Sequence, residues 1–460
     1  MKRSWRALLV NPWIYDFAAY NLWSEPTGLL EIGAYLLGLD YEVSLLDCLD
    51  RRHPDLAAYR IREDRFGCGH FLKTPVPKPD CVRHVPRRFG RYGLPLETVQ
   101  RQLAATPEPD VILVTSGMTY WYPGVHFAIT LLRRSFPRAP LILGGIYATL
   151  CAEHAKQHSG ADYVLPGDWK ATLPALLHDL GLYPPDAPDP APMPRYPAHG
   201  LRRNQGFAAI VTSRGCPYRC TYCASRLLNP SGYVPRPVDD VVAEIAHIAQ
   251  GLGIPDIAFY DDALLVHSAE HLERILDGVM EQGIRCRFHT PNGIHARGMT
   301  EALAHKMRRA GFETIRIGLE TISEATLQAT GAKTSAEEFA QAVGCLKQAG
   351  FSGKQVGAYI LAGLVGQTLR EVLDTIAFVH SLGATAHVSR FAPIQGTVEW
   401  ERWVRAGLIA SDADPLLQNH VLPFPPRAPL TEAEYQAAVL AAREGNARVR
   451  KAATGQGPFG

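Results

Sequence analysis

Cys216, Cys220 and Cys223, inside the run from Ser213 to Ser225, constrain this chain more than any other feature. Their spacing, on a turn rich in Gly and Pro, lets three thiols wrap one corner of a small metal cluster. They cannot complete a structural zinc site, which takes four tetrahedral ligands, usually as two separated pairs. A cubane iron–sulfur cluster can be held by three thiolates, which leaves one iron open to a substrate or cofactor. The run Ala208-Ala209-Ile210-Val211-Thr212 just upstream reads as a buried strand. The cysteines therefore fall where a strand of an α/β barrel passes into its loop.

With the aromatic Tyr222 before the last cysteine, this spacing resembles the hallmark of the radical SAM (S-adenosylmethionine) superfamily. The resemblance implies that Cys216, Cys220 and Cys223 hold a [4Fe-4S] cluster, that SAM chelates its open iron, and that Tyr222 belongs to the SAM site. Downstream, helices are expected near 238–250, 269–282, 300–310, 336–349 and 367–382. Strands are expected at 256–260, 285–289, 314–318, 355–361 and 386–390. With the strand before the cysteines this makes six βα units, the size of a partial (β/α)6 TIM-like barrel, with active residues at the carboxyl ends of its strands. Those ends are polar: Asp261-Asp262, Pro291-Asn292-Gly293, Glu320-Thr321, Gly363 to Thr368, and Arg390. A carboxylate suits the ammonium or ribose diol of SAM, and glycines let backbone meet its adenine. By resemblance Glu320 is the SAM contact after the fourth strand, and Gly363 and Gly366 belong to the glycine motif after the fifth. Asp262, Asn292 and Arg297 are further candidates. For Asp261, Asp262 and Asn292, helix capping or turn formation stands equally open. No side chain is singled out as catalytic.

A chain of 460 residues exceeds one hydrophobic core, so two or three domains are expected. The first, residues 1–183, alternates strands and helices, which favours a doubly wound, mostly parallel sheet. Small residues follow its strands: Ser116-Gly117, Gly144-Gly145 and Gly167-Asp168. The order of Asn11-Pro12, Pro26 to Leu30, Leu141 to Gly145 and Asp162 to Leu165 resembles the cobalamin-binding-domain radical SAM proteins. That resemblance implies a Rossmann-like domain whose Ser116, Gly117, Gly144 and Gly145 admit cobalamin. The Asp-x-His-x-x-Gly element that gives many cobalamin proteins a lower-face histidine is absent, so cobalt is expected without one, facing residues 11–20.

An insertion spans 51–107, where a short connection is normal. Its Cys68, His70, Cys81 and His84 are candidate ligands for a second metal, or small buried residues. Its Arg83, Arg87, Arg88 and Arg91, with Phe89 and Tyr92, fit an anionic ligand or a solvated, salt-bridged surface. Tyr15, Phe17, Tyr20 and Trp23, and then Tyr120-Trp121-Tyr122, would flank a flat cofactor or pack a core. The proline-rich stretch 184–200 reads as an extended linker, 201–398 as the barrel and 399–460 as a helical region with a disordered end from Ala453.

The whole reads as an enzyme that cleaves SAM reductively to methionine and a 5′-deoxyadenosyl radical, with cobalamin-dependent methylation of an unactivated carbon as the outcome. Cobalamin-independent radical cyclisation or rearrangement is the alternative. A non-catalytic iron–sulfur or cobalamin sensor is the reading from another class. The expected partners are a small-molecule or peptide substrate and a one-electron donor such as flavodoxin or ferredoxin. A net charge of +2 does not indicate nucleic acid. A short apolar start meeting Asn11-Pro12 predicts no signal peptide, no stretch is long enough for a membrane span, and an odd cysteine count fits a reducing cytoplasm.

Overall fold

The computed structural model describes residues 5–203 and 206–453. Residues 1–4, 204–205 and the tail from Thr454 lie outside the described residues. The chain forms two compact units. One runs to Ala208 and takes back Asp414–Asn419; the other comprises 209–413 and 420 onwards.

In the first unit, β1 (Arg6–Asn11), β2 (Glu42–Asp47), β3 (Val111–Val114), β4 (Leu141–Leu143) and β5 (Tyr163–Val164) form one parallel sheet in the order β5-β4-β3-β1-β2. Both faces are covered, so the strands read as unbroken apolar runs. Leu8 and Val10 point to one face, packing with Val99, Leu103, Val125 and Leu132. Ala7 and Leu9 point to the other, with Leu29, Leu36, Leu173 and Leu177. This order places a topological switch between β1 and β3, where such sheets bind ligands at their carboxyl ends.

Two stretches carry more regular structure and bonding than their sequences display. The insertion 51–107 ends in a regular helix, Leu96–Ala105, whose Val99 and Leu103 enter the core. Its earlier part supplies Lys73–Pro75 and Gly90–Tyr92, which pair antiparallel with each other, the latter also with Ile14–Asp16. The stretch 184–200 is not a free spacer. Ala191 is buried among the helices of this unit, the Ala191 N–H donates to the Tyr183 hydroxyl, and the Ala198 N–H donates to the Leu30 carbonyl.

Most of these aromatic residues turn inward, while Tyr20 is exposed. The Phe17 ring meets Phe89 edge-on at 5.0 Å and Trp23 meets Phe207 at 5.2 Å, as core packing requires. Arg91, Phe89 and Tyr92 are buried, with the Arg91 guanidinium over the Trp13 ring. The basic stretch is thus partly core. Cys68 is fully buried, and among the described residues no three His, Cys, Asp or Glu side chains are placed to share one metal ion.

The second unit is a six-stranded sheet in sequence order: β6 (Ala208–Ile210), β7 (Asp256–Phe259), β8 (Arg287–Ile294), β9 (Phe312–Glu320), β10 (Val356–Ala362) and β11 (Thr385–Arg390). Helices Val238–Ala246, Leu272–Glu281, Glu301–Ala310, Ala336–Gln348 and Leu369–Ser381 alternate with the strands, so this is the partial βα barrel. Its edge strand β11 is protected by the last helix, Glu432–Ala453. The Asn446 amide donates to the Ala386 carbonyl and accepts from the Ala386 N–H, both at 2.7 Å, in the way a neighbouring strand would. No helix among the described residues is long and apolar enough to cross a membrane.

Candidate active site

The cysteine loop follows β6 and is fastened from three sides. Asp261, just past β7, accepts from the N–H and hydroxyl of both Thr212 and Ser213, at 2.6–3.1 Å. It is fully committed to this role. The Asp261→Ala variant should therefore lower the thermal unfolding midpoint by roughly 5–10 °C, since several buried donors lose their acceptor at a cost of about 3 kcal/mol. An unchanged midpoint would count against this role.

Thr221 fastens the middle of the loop. Its N–H donates to the Thr330 carbonyl, its carbonyl accepts from the Glu399 N–H, and its hydroxyl donates to the buried Glu399 carboxylate at 2.8 Å. Gly331 takes φ = 104°, and a Cβ there would come within 2.8 Å of the Arg219 carbonyl, so only glycine lets the backbone approach the loop this closely. On the third side Asp262 accepts from Ser225 Oγ at 2.7 Å and from Asn229 Nδ2 at 3.3 Å. Its carboxylate thus orients the turn after Cys223.

Burial raises the Cys216 thiol to about 11, with the Cys223 and Cys220 thiols adding to the shift. Burial also raises Cys220 and Cys223, while the Lys333 ammonium pulls both back down. Cys216 thus feels the charges of Cys220 and Cys223, and Cys223 that of Cys220. The Ser225 N–H donates to Cys223 Sγ at 3.4 Å, and His295 Nε2 lies 4.0 Å from Cys216 Sγ. The Tyr222 hydroxyl is buried beside Cys220 without a hydrogen bond of ordinary geometry, and burial raises its pKa well above the usual phenol value.

Glu320 ends β9 in the left-handed region, φ = 66°, where the register with β10 shifts by one residue. A non-glycine residue held there is locally strained. Its carboxylate pairs with Lys333 Nζ at 3.3 Å, and both side chains are largely buried. Burial works against the Lys333 charge, but Glu320 and the Cys220 thiol outweigh it and hold its pKa above the usual value. Gly318 leaves the space Lys333 fills, since a Cβ there would collide with Nζ.

The other expected residues fare unequally. Asn292 is exposed and donates to the Tyr260 carbonyl at 2.8 Å. Arg297 pairs with Glu338 at 2.7 Å and lies 5.8 Å from the Tyr218 ring centre, so it braces the cysteine loop. Gly363 is covered: the Phe424 ring stands where a Cβ would be, and its N–H donates to Gln367 Oε1 at 2.8 Å. Gly366 faces open space. Arg390 is taken up by a bidentate pair with Glu432, at 2.6 and 2.9 Å, and by the Phe424 and Tyr435 rings. His295, Lys333 and Glu399 escaped the sequence reading because none belongs to a motif.

In the first unit, Ser116 is committed internally. Its hydroxyl donates to the Gly144 carbonyl at 2.6 Å and accepts from the Tyr147 N–H at 3.1 Å. Gly145, at φ = 91°, packs directly on Ser116, where no Cβ fits. Both shape the β4 loop. A Cβ on Gly117 would meet the Trp121 ring at 3.0 Å and one on Gly144 the Leu165 carbonyl at 3.9 Å, while Gly167 faces open space.

Residues 210–379 match the family model of the radical SAM superfamily. The chain carries a radical SAM domain. The chain is 26% identical over 235 residues to "Uncharacterized methyltransferase PH0819" of Pyrococcus horikoshii, covering 51% of this chain and 49% of that protein. It thus spans about half the length of that relative. To the cytidylyl-2-hydroxyethylphosphonate methyltransferase of Streptomyces wedmorensis it is 21% identical, over 89% of this chain and 83% of the other. In fold it is similar to TsrM of Kitasatospora setae, a radical S-adenosylmethionine methyltransferase solved with tryptophan substrate and a SAM analogue. That match has a TM-score of 0.66 and 17% identity, over 94% of this chain and 82% of TsrM. The cobalamin-dependent S-adenosylmethionine radical enzyme OxsB with aqua-cobalamin gives a TM-score of 0.63 and 13% identity, over 95% and 66%.

Proposed function

We propose that this protein is a cobalamin-dependent radical SAM methyltransferase acting on an unactivated carbon. The observation that carries the reading is the meeting of three cysteine thiols and the buried Glu320–Lys333 pair at the carboxyl ends of the strands of a radical SAM barrel. Cys216, Cys220 and Cys223 fit a [4Fe-4S] cluster by donor type and number, and Lys333 eases deprotonation of two of them. When bound, the cluster supplies the electron that cleaves SAM, and cobalamin supplies the carrier of the methyl group. Glu320 would receive the ammonium or ribose diol of SAM, with Lys333 holding its carboxylate in place. Tyr222 and the apolar side chains of Leu361, Leu364 and Phe391 around it would exclude water. A one-electron donor protein would deliver the reducing equivalent.

For cobalamin, support comes from the β1/β3 switch point, the loosely packed Gly144 and the open face of Gly167, and the similarity to OxsB and TsrM in fold. The first histidine of the chain is His53, so residues 11–20 offer cobalt no imidazole. Electron paramagnetic resonance of the cobalt(II) form should accordingly show no superhyperfine splitting from a protein nitrogen. Such splitting would contradict the lower-face reading, and a purified protein that retains no cobalamin would overturn the cofactor assignment.

A further inference from the structure

Arg316 stands on the inner face of the barrel with a guanidinium that no carboxylate answers among the described residues. On β9 it shares that face with Gly318, and two rows run on across the sheet. Arg316 lies opposite Gly357 and then Thr385, and Gly318 opposite Tyr359 and then His387. The residues that alternate with them, Ile315, Ile317, Ala358 and Ile360, are fully buried on the outer face. Arg316, Tyr359 and His387 stay partly exposed, so solvent reaches this part of the inner face. Arg316 precedes Glu320 by four residues, roughly 13 Å along the strand at about 3.3 Å per residue. Tyr359 stands at the level between them and reaches across to β8, where its hydroxyl donates to the Pro291 carbonyl at 2.6 Å. The arginine therefore belongs to the amino-terminal mouth of the barrel, away from the cysteine loop.

The side chain is held, yet half of it is unused. Nη1 donates to the Ile315 carbonyl at 3.1 Å and to the Gln355 carbonyl at 3.2 Å, which fixes the guanidinium. Nε and Nη2 make no hydrogen bond, and the group no ion pair, among the described residues. Burial lowers the pKa of Arg316, the Tyr359 phenol opposes this, and Arg450 of the last helix lowers it further. Both arginine charges also reach His387, whose pKa is pushed down to about 3 by burial first and then by them. Gly357 makes room for this gathering, since a Cβ there would come within 2.7 Å of Thr385 Oγ1 and 2.8 Å of His387 Nε2. A cation withdrawn from water is ordinarily paired. Here the neighbouring charge has the same sign.

The open Nε–Nη2 edge is a side of the guanidinium that takes an oxyanion in two parallel hydrogen bonds. We propose that the amino-terminal mouth of the barrel binds a phosphate-type dianion, received on that edge of Arg316 beside the His387 ring, with Arg450 supplying the second positive charge. A dianion fits better than a carboxylate because it compensates both arginines. Inorganic phosphate and the phosphoryl group of a small metabolite share this chemistry. The site needs neither the cluster nor cobalamin.

The test is isothermal calorimetry of the purified full chain with inorganic phosphate, at constant ionic strength against chloride. Wild type should bind phosphate saturably, and phosphate should raise its thermal unfolding midpoint. Arg316→Met keeps an extended side chain and removes the fork, so phosphate binding should weaken about ten- to a hundredfold. In chloride alone its midpoint should stay at or above that of wild type, because an uncompensated charge is gone. Should that variant fail to fold, Arg450→Gln at an exposed helix position decides, with several-fold weaker binding expected. No saturable binding by wild type, or wild-type affinity in the deciding variant, would overturn the proposal. SAM affinity should be unchanged in both variants, and a fall would place Arg316 in the SAM site and overturn it equally. Glycerol 3-phosphate in place of phosphate separates the sources: tighter binding of the ester supports a metabolite's phosphoryl group, and tighter binding of the free ion supports inorganic phosphate.

Discussion

Cys220→Ala should leave a folded protein that no longer retains a four-iron cluster and makes no 5′-deoxyadenosine. Two thiolates cannot hold a cubane against loss to solvent, whereas the fold has other supports. The loop is anchored by Asp261 and Glu399, neither of which touches the Cys220 side chain through a hydrogen bond. Iron content should fall from about four per chain to a small fraction of that, and SAM cleavage with it. Circular dichroism should stay near the wild type. Full iron content with normal deoxyadenosine formation in the variant would remove Cys220 from the cluster.

Lys333→Met should have the second largest effect, because it leaves the Glu320 carboxylate buried without its ion-pair partner. Breaking one side of a buried pair costs more than the pair itself is worth. With some residual exposure on both side chains, a loss of about 2–3 kcal/mol is expected, equivalent to a midpoint lowered by roughly 4–10 °C. SAM affinity, read by calorimetry, should also fall, since Glu320 would lose the ammonium that holds it in place. The double variant Lys333→Met with Glu320→Gln should recover most of the stability but not the affinity. A single variant as stable and as tight as wild type would mean that the pair has neither role.

The two-unit α/β architecture was legible because parallel strands buried on both faces must be written as apolar runs, as in Leu8-Leu9-Val10 and Val111 to Val114. The helix Leu96–Ala105 was also written, in the spacing of Leu96, Val99 and Leu103, but its place after an irregular hairpin hid it inside the insertion. The prolines of 184–200 break regular structure, and nothing in that composition reveals that the chain between them is hydrogen-bonded to its own domain. At the site, the cysteines could be found because a cluster dictates spacing within one loop. Lys333 could not, because its partnership with Glu320 runs across an intervening helix, and the clearance at Gly318 is a three-dimensional fact. His295 is similar: Cys216 lies 79 residues away. Ser116 and Gly145 show the converse. Their size suits an open ligand crevice, and the same smallness also serves the tight loop they form here.

The central claim is that one barrel site, coupled to cobalamin, consumes SAM in two ways. It is tested most directly by chromatographic analysis of a single anaerobic reaction of the cofactor-loaded protein with SAM and a low-potential reductant. The account predicts both 5′-deoxyadenosine, from reductive cleavage, and S-adenosylhomocysteine, from methyl loss, with the latter disappearing when cobalamin is withheld. Formation of neither product by iron- and cobalamin-replete protein would contradict it.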